Sequence, residues 1–215
     1  MAAFSGSEVT WQAAVACIRD VLGPYRLTVT TTDPGLTPHH EAVIAGLPSQ
    51  IGMGSGVSGV SPFSCGEIPR TITFTFGNLF PEDVLELCWT ATHEIAHSFG
   101  LEHEMYCPDS MTYQPDCGFK RYTDVLADVG TAGQCLPANE CQCGRSQQNA
   151  HQMMLGAVGT NPQVFGDGFE SATAGKLNWR EVLKTRDANR RFEGRCGTTD
   201  RPVDRSLSGW LELPR

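Results

Sequence analysis

The chain has 215 residues, enough for one domain plus a modest extra segment. Hydrophobic residues make up 40 % of it, which supports a packed core, and the net charge of −8 argues against non-specific nucleic-acid binding. No run is long and apolar enough to span a membrane. The charge is unevenly spread: residues 1–120 carry 4 Lys/Arg against 13 Asp/Glu, whereas residues 161–215 carry 10 against 8.

Residues 8–22 read as an amphipathic helix, with Val9, Ala13, Ala16, Cys17 and Val21 near helical spacing and Gly23-Pro24 as the stop. Arg26–Thr32 alternates and reads as a strand, ended by the Asp33-Pro34-Gly35 turn. His39 and His40 are adjacent on what reads as a loop; neighbours there diverge, so they are expected to be exposed rather than metal ligands. Glu41–Leu47 reads as a second strand. Residues 52–61 hold four glycines and three serines and read as a flexible loop. They are not a phosphate cradle, because no Lys-Ser/Thr follows and no helix opens directly after them. Arg70–Phe76 alternates threonines with Ile72, Phe74 and Phe76, giving a third strand.

Pro81 is expected to begin the next helix, where its missing N–H costs nothing, and Glu82 and Asp83 suit the positive helix start. Val84, Leu85, Cys88, Ala91, Ile95 and Phe99 can form its buried stripe. On this helix lies the pattern H-E-x-x-H-x-x-G-x-x-H, from His93 to His103. Two histidines four apart share a helix face, so His93 and His97 can reach one metal. Glu94 stands beside the first of them. Gly100 can take positive φ, end the helix and bring His103 back as a third ligand. Three neutral imidazoles with an open fourth position are the donor set of a catalytic zinc site, whereas structural sites are closed by four protein ligands. A short H-E-x-x-H alone is weak. Here the glycine, the third histidine and a downstream Ser110-Met111-Thr112-Tyr113 turn complete it.

This constellation resembles the metzincin clan of zinc metallopeptidases. The resemblance makes His93, His97 and His103 the Zn2+ ligands, Glu94 the general base and Met111 the support beneath the metal. It makes Tyr113 a zinc ligand or an oxyanion stabiliser, as in astacin-like and serralysin-like members. Glu104 is also astacin-like, but the chain overall is more similar to bacterial matrixin-like metzincins of unassigned substrate. That likeness covers roughly residues 10–160 and includes Glu41–Gly46 and Gly59–Cys65.

The resemblance implies an α+β fold: a twisted, mostly parallel sheet, a backing helix, the active-site helix and a small C-terminal subdomain. The strand at 70–76 would be the sheet edge that pairs antiparallel with an extended substrate. It also implies that an opening strand is missing or lies upstream of Met1. The expected function is that of a zinc-dependent endopeptidase, a monomer acting on protein or peptide, with no nucleic acid or membrane partner. The alternatives are an inactive or latent zinc-binding module and a non-proteolytic zinc hydrolase. Retention of Glu94 favours the enzyme over the first, and the methionine turn and edge strand speak against the second.

Nine cysteines suit an oxidising compartment. Cys107 and Cys117 bracket the methionine turn and are expected to be bridged. Cys135, Cys141 and Cys143 are expected to supply another bridge rather than a second zinc site, since their spacing is not a paired C-x-x-C arrangement. Met1–Gly6 lacks a secretory signal. We therefore expect Met1 to be an internal start and the protein to be secreted. Ser146–Val158 reads as a further helix, with Met153, Met154, Leu155 and Val158 as core and His151 as structural or exposed. Residues 1–160 are assigned to the catalytic domain. Residues 161–215 form a C-terminal extension without clear alternation, a truncated module or poorly ordered tail.

Overall fold

Ser7 opens the first helix: its hydroxyl accepts a hydrogen bond from Thr10 N at 3.2 Å and caps α1 (Glu8–Leu22). The computed structural model describes residues 1–114, 117–131 and 142–162, and the backbone of 208–212. The fold is α+β. After α1 come β1 (Thr28–Thr30), β2 (His39–Ile44), β3 (Gly59–Val60), β4 (Ile72–Thr75) and α2 (Val84–His97). Then follow β5 (Ala127–Asp128), β6 (Gln147–Gln148), α3 (Ala150–Val158) and β7 (Ser208–Glu212).

Several boundaries differ from expectation, each for a local reason. The helix α2 begins at Val84, not at Pro81, because Asp83 is its cap; the carboxylate accepts from Leu85 N and Glu86 N. The last helix begins at Ala150 rather than Ser146, because Asn149 caps it and residues 147–148 pair with β5. Leu87 rather than Leu85 is fully buried on α2, and Val9 on α1 is exposed. His39 and His40 are in a strand, not a loop. His40 is buried, packed against the Phe99 ring and 3.4 Å from Glu67, because alternation along β2 turns it inward.

The main sheet has the order β1-β7-β2-β4-β3. Only β2 and β4 run parallel; β1–β7, β2–β7 and β3–β4 are antiparallel. The expectation of a mostly parallel sheet is therefore corrected. The chain turns back between β3 and β4, and a parallel pair needs the long crossover that separates β2 from β4. The edge assignment is corrected too: β4 lies between β2 and β3, and the edge strand is Gly59–Val60, inside the run read as a flexible loop. The strand β7 comes from the C-terminal extension and sits between β1 and β2. Expectations for the rest of that extension, and for Cys135, Cys141 and Cys196, lie outside the described residues.

The helices α1 and α2 lie side by side, and a Cys17–Cys88 disulfide joins them. The sequence placed both cysteines on buried stripes without pairing them. Closing 71 residues of chain restricts the unfolded state by about 4 kcal/mol on the loop-entropy account. Cys107–Cys117 is formed as expected, and Cys143 pairs with Cys65. Three disulfides fit an oxidising compartment. Among the described residues, no helix is long and apolar enough to cross a membrane.

Candidate metal centre

The last turn of α2 carries His93 and His97 on one face, and the chain returns to bring His103 beside them. Nε2 of His97 is 3.0 Å from Nε2 of His93 and 3.1 Å from Nε2 of His103. Around a tetrahedral ion with bonds of about 2.0–2.1 Å, nitrogen pairs lie about 3.3–3.4 Å apart, so the donors are within a few tenths of an ångström of that spacing. The Nδ1 atoms of His93 and His97 are held by carbonyls. His93 Nδ1 faces Ser110 O at 2.8 Å, and His97 Nδ1 faces Leu101 O at 2.7 Å. A carbonyl only accepts, so each Nδ1 carries the proton and each Nε2 presents its lone pair inward. Burial keeps the rings neutral. His97 is pushed down to about 4 and His103 to about 3; His93 lies well below the usual histidine range. Together the three imidazoles can hold a metal ion.

Gly100 does what its place in the motif requires. Its φ is +87°, its N–H bonds His97 O at 3.0 Å, and Leu101 N bonds Ala96 O at 3.2 Å. This pair of bonds is a Schellman ending, and it turns the chain toward His103. A second reason for glycine was not visible in sequence. A Cβ there would stand 2.7 Å from Gly66 N, on the loop tied down by Cys65–Cys143. Glu102 and Arg145 reinforce the return. Arg145 Nε lies 2.9 Å from the buried Glu102 carboxylate, and its guanidinium also reaches Gly100 O.

Met111 is fully buried in the core. Its turn is set by Asp109, whose carboxylate accepts from Met111 N at 2.9 Å and from Thr123 N at 2.6 Å. The same turn supplies the Ser110 carbonyl that orients His93. Tyr113 is largely exposed, and its ring centroid lies 4.1 Å from that of His103 and 5.3 Å from that of His93. His93, His97, His103, Glu94 and Tyr113 thus meet in one place.

Glu94 is buried, and burial pushes its carboxyl up to about 8. The edge strand β3 passes directly over it. A Cβ on Gly59 would lie 2.6 Å from Glu94 Oε1 and 2.7 Å from Thr90 Cγ2. The contact requires a residue without a side chain, and no sequence signal distinguished Gly59 from the glycines around it. Two clefts open on either side of this contact, of about 210 and 440 Å³. Gly59, Glu94 and Tyr113 line both and mark the seam between them. The smaller also reaches His97 and His103, and the larger reaches His93.

No family model, curated protein or solved structure matches this chain.

Proposed function

We propose that the chain is a secreted zinc-dependent endopeptidase of the metzincin kind, acting as a monomer on polypeptides. The observation that carries the reading is the convergence of three imidazoles, two of them oriented by carbonyls, beside a buried carboxyl at the seam of two open clefts. Three imidazoles and one open position favour zinc in a catalytic setting. Zinc held by His93, His97 and His103 supplies a Lewis acid that makes water acidic near neutral pH.

The chain's own groups do the rest. Glu94, beside the ligands and shielded by Gly59, would be ionised by the charge of a bound cation, and as the carboxylate it accepts the proton of the attacking water and hands it to the leaving amine. The free edge of β3 offers backbone N–H and C=O groups to an extended peptide and lays it across the seam. Tyr113, next to His103, donates its hydroxyl to the oxygen that gains charge. The three disulfides support an extracellular setting.

The test is hydrolysis of unfolded casein by metal-loaded protein, beside Glu94→Ala and a chelator control. Cleavage is expected to be lost in both, while Glu94→Ala still binds one equivalent of zinc. Normal cleavage by Glu94→Ala would overturn the mechanism. Stoichiometric zinc without any cleavage by the unaltered protein would instead favour a zinc-binding module.

A further inference from the structure

The larger cleft contains a buried cation that the proposed reaction does not use. Lys120 follows the methionine turn and is only 8 % exposed. Its Nζ donates to Gln114 O at 2.9 Å and Thr112 O at 3.4 Å, and it sits 5.4 Å from the Trp89 ring centroid. An ammonium has three donors, and among the described residues two carbonyls engage two of them. Among the described residues, no carboxylate lies within 4.0 Å of it. Two neighbours lining the same cleft also carry buried polar atoms without a hydrogen-bond partner: Trp89 Nε1 and Ser110 Oγ. Among the described residues the negative charges acting on Lys120 are those of Glu86 and Asp109, both beyond 4.0 Å; buried donors without acceptors are costly, and a ligand rich in acceptor oxygens in this cleft would offset that cost. Of the two carboxylates lining this cleft, Glu86 acts on Lys120 electrostatically but makes no contact with it within 4.0 Å, and Glu94 stands at the seam.

We infer that the larger cleft takes an aspartate or glutamate side chain of the substrate, on a residue flanking the scissile bond, with Lys120 as the specificity-determining residue. This rests on the endopeptidase reading. A peptide lying along β3 has its reacting bond at the Glu94 seam and therefore sends a neighbouring side chain into each cleft. The substrate class is thus a polypeptide with an acidic residue next to the cleaved bond. The carboxylate meets the ammonium, with Trp89 N–H and the Ser110 hydroxyl as additional donors.

The experiment compares matched peptides differing only in Glu against Gln, or Asp against Asn, at each position flanking one cleavable bond. Binding is measured calorimetrically to zinc-loaded Glu94→Ala, and cleavage with the unaltered protein. The acid is expected to bind about 10- to 100-fold more tightly than the amide at one flanking position, with the same preference in kcat/KM. Lys120→Met should bring the acid-to-amide ratio to about 1, and Lys120→Arg should retain most of it. Equal binding of acid and amide by the parent protein overturns the inference, as does an unchanged ratio in Lys120→Met. Acid-selective binding that Lys120→Met abolishes, without cleavage by the unaltered protein, removes the endopeptidase reading and keeps only the cleft's selectivity for an acidic side chain.

Discussion

Adding one methyl group at Gly59 puts the proposed mechanism under a sharp test. In Gly59→Ala the new Cβ would lie 2.6 Å from Glu94 Oε1, where ordinary contact begins at 3.4 Å. Something must move by about 0.8 Å. The strand is held by β4 on its other side, through Gly59↔Thr75 and Val60↔Phe74, so the Glu94 side chain is the softer party. A misplacement of about 1 Å at a reacting group costs on the order of 100-fold in rate. We therefore expect kcat to fall about 30- to 100-fold, or about 2–3 kcal/mol of barrier. Overpacking should cost about 1–3 kcal/mol of stability as well. Zinc content should be unchanged, because the nearest collisions are with Glu94 and Thr90 and none is with a histidine. Steady-state kinetics on a fluorogenic peptide, with metal analysis and thermal melting of the same samples, decides it. A folded, zinc-loaded Gly59→Ala with kcat within threefold of the parent would refute the reasoning. So would an effect confined to KM, which would mean that the strand had moved instead.

Gly100→Ala should be worse for the fold, since it combines a φ of +87° with a Cβ 2.7 Å from Gly66 N; a loss of metal affinity and at least about 2 kcal/mol in urea unfolding is expected, and wild-type values of both would sink the account. Metal-free protein should be most stable near pH 6.5. Below that pH the unfolded chain's histidines, ordinarily near 6.5, take up protons that His97 and His103 resist down to about 4 and about 3 in the folded state, so stability falls as pH drops. Above it, folded Glu94 and Glu104 keep protons up to about 8 and about 9 that the unfolded chain has released near 4.5, so stability falls as pH rises toward 8. Urea midpoints of chelated protein that rise from pH 6.5 to pH 8 would contradict this. Replacing Cys17 and Cys88 together by Ala should lower stability by about 4 kcal/mol, with no change in zinc stoichiometry at low temperature; a change below about 1 kcal/mol would mean that the unfolded chain was never so constrained.

The three-histidine group was legible because its chemistry is local. His93, His97, Gly100 and His103 lie within eleven residues, and helix periodicity with one turn fixes their meeting. Tyr113 and Met111 were singled out only through the resemblance to metzincin zinc enzymes. What surrounds the centre depends on contacts distant in sequence. Cys17 and Cys88 looked like core positions because a disulfide cysteine and a buried cysteine occupy the same helix face. His40 was misplaced because a pair of polar residues at the start of a strand hides its alternation. Gly59 was unreadable in a run of glycines, since its requirement comes from Glu94, thirty-five residues later. The sheet order escaped for a related reason: β7 lies in a stretch with no clear alternation, far from its partners β1 and β2.

The close approach of Gly66 to Gly100 has a mechanical consequence. Backbone meets backbone there, with no side chain to act as a cushion, so the loop beyond β3 and the return toward His103 are geared together. Cys65–Cys143 fixes one side of the gear and Glu102–Arg145 fixes the other. A reductant that opens this bridge would let the loop swing and loosen His103 first, leaving His93 and His97 seated on their helix. Thiol concentration would then act as a dial on the third coordination arm while the rest of the fold stayed intact.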